Sequence, residues 1–259
     1  MPEKSELGLS FAEMIDIGGR PSNQDALASA IENNLACFVV SDGVGGHVGG
    51  EIASKLITET IVHQFQQELI FSPRALQSYV AVAAMELEER KKSEARLKEM
   101  SATVAVILID AANASALWAH LGDTRVYHFR SDKILSVTKD HSLVQQLVDA
   151  GYCTPNQLNT HPQRSVLYAA LGMDSELSES KEVSMGVSTI EVDDSFLICS
   201  DGFWEWLSEK DLESTLQTTD TMHNWLNKMR DIVLKNAKQS RSQDNYTALA
   251  IRCIEKLVP

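Results

Sequence analysis

The chain has 259 residues, 44% of them hydrophobic, enough to bury a sizeable core without cross-links. Asp and Glu outnumber Lys and Arg by 36 to 23, and the formal charge of −13 repels nucleic acid and anionic membrane, arguing against both as partners. Cys37, Cys153, Cys199 and Cys253 stand far apart with no C-x-x-C pair, which argues against a zinc site or a disulfide framework. The N-terminus is polar and no apolar run approaches membrane-spanning length, so a reducing cytoplasm is the expected compartment. No Pro- or Ser-rich linker divides the chain, and one domain over 1–259 is expected.

In chain order, Phe11, Ile15 and Ile17 alternate and predict a first strand over 11–19, ended by Gly18-Gly19; Arg20 to Asp25 reads as a polar loop. Leu35 to Ser41 is an apolar strand that runs into Asp42, followed by five glycines from Gly43 to Gly50. From Glu51 the period becomes helical, with Ile52, Leu56, Ile57, Ile61, Phe65 and Leu69 on one face. Ser72-Pro73 supplies an N-cap and a first-turn proline for a second helix that runs through Leu76, Val80, Ala84 and Leu87. Strands are predicted over 103–109, 116–120, 125–129 and 133–138, and their short spacing predicts antiparallel neighbours. Leu143 to Val148 reads as a short helix stopped by Gly151, inside a polar segment, 142–174, placed to lie over a site. Strands follow over 183–192 and 195–200, then helices near 208–216 and 221–238, then a strand over 246–253. This order predicts mixed α+β layers with antiparallel sheets.

The acids sit at marked places in that pattern. Asp42 and Asp201 each end an apolar strand and precede Gly; Asp123 lies in a turn between strands; Asp244 begins the last strand; Asp25 closes the first polar loop. Each by itself is an ordinary turn residue. Together, on one sheet edge, they would suit hard divalent cations, which take oxygen ligands.

Arg20-x-x-Asn-Gln-Asp25, Ser41-Asp-Gly-Val-Gly-Gly-His47, Ser101-Ala-Thr103, His120-Leu-Gly-Asp-Thr-Arg125, Thr138-Lys-Asp-His-Ser142, Leu197-Ile-Cys-Ser-Asp-Gly202 and Asp244-Asn-Tyr-Thr247 resemble, in order, the motifs of the type 2C metal-dependent Ser/Thr protein phosphatases, and the Gly-Gly-His form is similar to bacterial members. The resemblance covers roughly 11–252. It implies a four-layer α-β-β-α sandwich of two antiparallel sheets, with 142–174 as a flap beside a metal-bearing cleft. By resemblance, Asp42 bridges two Mg²⁺ or Mn²⁺ ions, Asp201 and Asp244 complete the first, and the Gly43 carbonyl helps hold the second. Asp123, sharing Asp201, matches a third metal position. Asp25 acts on the second metal through water, and Arg20 receives the substrate phosphate. Arg164 is either a substrate contact or half of a structural salt bridge.

The implied chemistry is hydrolysis of phosphoserine and phosphothreonine by metal-activated water, in a monomer that opposes a bacterial Ser/Thr kinase. Two positions depart from the family pattern. Gln24 stands where many relatives have Glu, and Val44 where animal members place a His that acts as general acid; His47 is the nearest His here. The competing expectations are a catalytically weak, partner-binding domain of the same fold and a hydrolase of small phosphoesters.

Overall fold

The computed structural model describes residues 7–44, 49–173, 183–238 and 243–256. Among them the chain forms β1 (Leu7–Asp16), β2 (Asp25–Glu32), β3 (Leu35–Asp42), α1 (Gly50–Glu68), α2 (Pro73–Ser93), β4 (Val104–Asp110), β5 (Ser115–Leu121), β6 (Arg125–Arg130), β7 (Lys133–Val137), α3 (Leu143–Asp149), β8 (Ser184–Thr189), β9 (Ser195–Cys199), α4 (Asp201–Trp204), α5 (Glu209–Gln217), α6 (Met222–Ala237) and β10 (Tyr246–Glu255). The strands make two antiparallel five-stranded sheets, ordered β1-β10-β9-β6-β7 and β2-β3-β4-β5-β8. Helices α1 and α2 cover the second sheet, and α5 and α6 cover the first, which is the expected α-β-β-α layering.

The apolar runs follow from that layering. Successive side chains of a strand point to opposite faces, and here both faces of the central strands are covered. In β3, Cys37 and Val39 pack toward α1 and α2, while Ala36, Phe38 and Val40 pack between the sheets. In β4, Val104, Val106 and Leu108 face the helices and Ala105, Ile107 and Ile109 face the other sheet. Across the sandwich, Leu197 and Cys199 of β9 face α5 and α6, and Phe196 and Ile198 face inward. A strand buried twice has no polar face, so it reads as a continuous apolar run although its neighbours are antiparallel.

Local signals set the helix ends, those at Ser72-Pro73 and Gly151 as expected. The Ser72 side chain accepts a hydrogen bond from Ala75 N–H, with Pro73 in the first turn of α2. Ser208 and Asp211 form a reciprocal capping box on α5, and Thr221 caps α6. Ser142 caps α3, and Gly151 after it adopts φ 78°.

Three differences from the sequence expectation matter. First, β1 runs over Leu7–Asp16 and not to residue 19, because Ile17 to Arg20 turn toward the site. Second, β2 carries Ala26, Ala28 and Ala30, and alanine has little strand preference, so pairing with β3 makes this strand and not its own composition. Third, β5 and β6 are not neighbours: the turn Leu121 to Thr124 leaves one sheet and enters the other. Short spacing alone does not separate a hairpin from such a corner.

At the far end of the sandwich from that corner's loop, His128 and Asp194 are buried together. Asp194 accepts hydrogen bonds from His128 Nε2 (3.1 Å), from Arg130 Nε and Nη2 (3.0 and 2.8 Å), and from the backbone N–H of Glu191 (3.0 Å). Burial pushes the Asp194 carboxyl up, but these donors outweigh it and hold it down at about 2. A carboxylate held below its unfolded value stabilises the fold above pH 3.8 and loses that contribution as pH falls toward about 2. Urea unfolding of the wild type against pH is expected to show this acid limb between those values, and Asp194→Asn to flatten it while lowering stability at pH 7.

Candidate metal centre

The two strand ends that carry Asp25 and Asp42 are paired directly: Asp25 lies opposite Asp42 in the β2–β3 register. Beyond them the chain is held by β4. Asp42 N–H donates to Thr103 Oγ1 (3.0 Å) and Thr103 N–H donates to the Asp42 carbonyl (2.8 Å). Thr103 Oγ1 in turn meets Thr124 Oγ1 at 2.5 Å, tying Asp42 to the corner that bears Asp123. Gly43 bridges to Ala102 and donates its N–H to the Gln24 carbonyl at 3.0 Å. A Cβ on Gly43 would lie 2.6 Å from the backbone carbon of Gly50, so glycine there lets the exit of β3 pass the start of α1.

Asp123 follows Gly122 in the corner, and its carbonyl accepts a hydrogen bond from Trp204 Nε1 (2.9 Å). The Arg125 guanidinium lies 3.4 Å over the Trp204 ring and is clamped by both oxygens of Asp140 (2.8 and 2.7 Å). His141 is buried against Gly122, whose N–H donates to its Nδ1 (3.1 Å), its Nε2 meets Ser184 Oγ of β8 (3.0 Å), and Ser142 takes the cap of α3. These bonds tie His141 to the corner and to β8.

Asp201 opens α4 at the end of β9. A Cβ on Gly202 would lie 2.0 Å from the Asn245 carbonyl, so this glycine lets α4 meet the start of β10. Ser200, just before Asp201, donates to Asp25 Oδ2 (2.7 Å) and accepts from Thr247 N–H (3.0 Å). Asp244 pairs with Arg20 Nη2 at 2.6 Å. The buried Asn245 side chain accepts from Gln24 N–H (2.8 Å) and donates to the carbonyls of Ile17 (2.8 Å) and Ser22 (3.0 Å), clamping the loop that carries Arg20.

The result is a cleft of about 550 Å³ lined by Arg20, Asp42, Gly43, Asp123, Arg164, Asp201, Glu205 and Asp244, among others. Asp25 is not part of the lining; it sits behind Asp42. Arg164 lines the cleft and is paired with Glu205, the salt bridge that was one of its two expected readings. His47 lies outside the described residues. Glu205 and the clamping role of Asn245 were not foreseen. For Glu205, the available signal was its position four residues after Asp201, one helical turn on.

Charge in the cleft is strongly one-sided. Burial, then Asp25, Asp201 and Asp123, push the Asp42 carboxyl well up. Burial, then Asp201 and Asp140, do the same to Asp123, and burial and Asp244 raise Asp201. Asp25 is pushed up to about 6, mainly by burial, against the hydrogen bond from Ser200. Its Oδ1 is buried without a well-formed hydrogen bond. Among the described residues no three acidic, His or Cys side chains already surround a common point; Asp244 turns to Arg20 instead. The donor set is nevertheless all carboxylate and carbonyl oxygen, clustered on one cleft, which fits hard divalent cations after side-chain rotation.

A sequence model of the protein phosphatase 2C family matches residues 19–240. The chain belongs to the protein phosphatase 2C family. A serine/threonine phosphatase, Stp, of Listeria monocytogenes is 25% identical over 241 residues, covering 91% of this chain and 88% of that protein. The serine/threonine protein phosphatase PstP of Mycobacterium tuberculosis is 31% identical over 213 residues, covering 82% of this chain and 39% of PstP. A crystal structure of the PstP catalytic domain in complex with two manganese ions superimposes with a TM-score of 0.81 at 25% identity, covering 96% of this chain and 99% of that one. The four-layer sandwich is thus the fold of this family.

Removing one charge from the cluster should relieve repulsion when cations are chelated. Asp42→Asn is expected to raise the melting temperature in chelator, and to shrink the rise that manganese produces in the wild type, both read by differential scanning fluorimetry.

Proposed function

We propose that this chain is a Mg²⁺- or Mn²⁺-dependent phosphatase of phosphoserine and phosphothreonine in proteins. The observation that carries the proposal is the convergence of Asp42, Asp123, Asp201 and Asp244 with Arg20 on one cleft, in a chain of the protein phosphatase 2C family. The names of the relatives, serine/threonine phosphatases, support the substrate class.

Asp42, Asp201, Asp244 and the Gly43 carbonyl are our candidates to hold two cations, with Asp123 and Asp201 for a third and Asp25 supporting from behind. Bound there, the cations would lower the pKa of water and offset charge on the phosphoryl group. The chain's own residues do the rest. Arg20 presents a planar fork to the phosphoryl oxygens, on a loop that Asn245 keeps in place. Asp244, paired with Arg20 here, is the side chain that would turn from it to a cation, leaving the guanidinium for substrate.

Cys37 and Cys199 are unsuited to a covalent route. Cys37 and Cys199 are fully buried, and burial pushes both thiols far up, away from the reactive thiolate. His141 is held down to about 4, chiefly by burial and then by His120, so it is neutral at pH 7 and brings no proton to a leaving group. His47 remains our candidate for that proton. Four unpaired cysteines fit a reducing cytoplasm, and among the described residues no helix is long and apolar enough to cross a membrane. A Ser/Thr kinase would supply the substrates.

The test is phosphate release from a phosphothreonine peptide. Release is expected with Mn²⁺, loss with chelator, and a fall of more than about 100-fold in kcat for Asp42→Asn. Absent release in the wild type, or activity that survives chelation, overturns the proposal. Phosphotyrosine peptide and nucleotides in the same assay distinguish a small-phosphoester hydrolase. Arg20→Ala is expected to raise KM for the peptide about 10- to 100-fold, the loss of one charge-assisted contact.

A further inference from the structure

Glu205 is an acid in a cleft that already has too many. It ends α4 one turn after Asp201, its backbone N–H bonded to the Asp201 carbonyl at 2.9 Å, and the next residue, Trp206, is tied to α6 through Asn236 Nδ2 at 2.8 Å. The Glu205 side chain is therefore mounted on a firm part of the body, and it is only 6% exposed. What it faces is Arg164. Arg164 Nε donates to Glu205 Oε2 at 2.9 Å, and Nη2 donates to the same oxygen.

The other end of this pair is less firmly mounted. The segment around Arg164 is rooted by backbone bonds from Leu143 N–H to the Val166 carbonyl (2.8 Å) and from Tyr168 N–H to the His141 carbonyl (3.0 Å). Within it, Thr154 and Gln157 cap one another and His161 accepts from Gln163 N–H, all local bonds. Among the described residues from 152 to 165, Arg164 to Glu205 is the side-chain hydrogen bond that reaches the body of the protein. Because one carboxylate oxygen takes both donors, Nη1 of the guanidinium is left over at the cleft wall, where Arg164 is 35% exposed.

We propose that Glu205 is a positioning residue for substrate capture: it holds Arg164, and the segment that carries it, against the cleft so that the spare guanidinium donors meet the phosphorylated peptide beside Arg20. The proposal rests on the phosphatase reading above. A carboxylate at this place spares Arg164 the cost of ordering a long side chain at the moment of binding. The same pair also keeps Arg164 from folding onto Asp201 and Asp244, whose charges it feels.

The test is a double-mutant cycle with Mn²⁺ and a phosphothreonine peptide on wild type, Glu205→Gln, Arg164→Ala and the double variant, joined to amide hydrogen exchange. Glu205→Gln is expected to raise KM about five- to tenfold with kcat falling less than twofold. In the Arg164→Ala background the same change should add nothing, because Glu205 acts through Arg164. Exchange should quicken over 155–166 in both single variants and stay unchanged over β3, β4 and β10, which also shows that the variants are folded. An unchanged or lower KM for Glu205→Gln, effects that multiply in the double variant, or unaltered exchange over 155–166 overturns the proposal. If the wild type releases no phosphate, the functional reading has failed, and the exchange experiment still decides whether Glu205 holds the segment.

Discussion

Asp25 and Asp123 are buried, and Asp42 and Asp201 half-buried, at one end of a sandwich, and the charges of Asp25, Asp201 and Asp123 all raise the cost of ionising Asp42. A chain free to relax would spread them apart. Their backbones must be held by interactions strong enough to resist that repulsion, and most of the structure near the cleft serves this end. The two sheets fix four strand ends; the corner between β5 and β6 brings Asp123 across from one sheet to the other.

The fastening is done by neutral polar side chains and by backbone. Thr103 grips both sides of Asp42 and reaches Thr124. Ser200 joins Asp25 to Thr247. Asn245 closes the Arg20 loop, and Trp204 holds the Asp123 carbonyl while carrying Arg125 on its face. None of these groups adds negative charge. The two cleft arginines follow a different rule: each is paired with one carboxylate, Arg20 with Asp244 and Arg164 with Glu205. The cleft thus presents cations on tethers above a floor of anions.

Much of this was legible along the chain. Twice-buried strands such as β3, β4 and β9 leave unbroken apolar runs, and an Asp-Gly at the end of such a run marks a carboxylate delivered to a sheet edge. Ser72-Pro73 marked a helix start by its own chemistry. Less legible was anything made by partners. β2 is alanine-rich and exists because β3 pairs with it. The β5–β6 turn looks like a hairpin until the second sheet is present. Glu205 looks like one surface acid among many until Arg164 arrives from forty-one residues away.

By itself the sequence determined the residue types, the alternation and the order of motifs, because these depend on local periodicity and on chemistry carried by single side chains. It specified which acids stand at strand ends and which arginine stands ahead of them. Only the tertiary structure decided that these ends share one cleft, that Asp25 lies behind Asp42 and not in the lining, and that Arg164 is held by Glu205. The physical reason is distance: such pairings join elements far apart in the chain, and their energies exist only once two packed sheets bring them together.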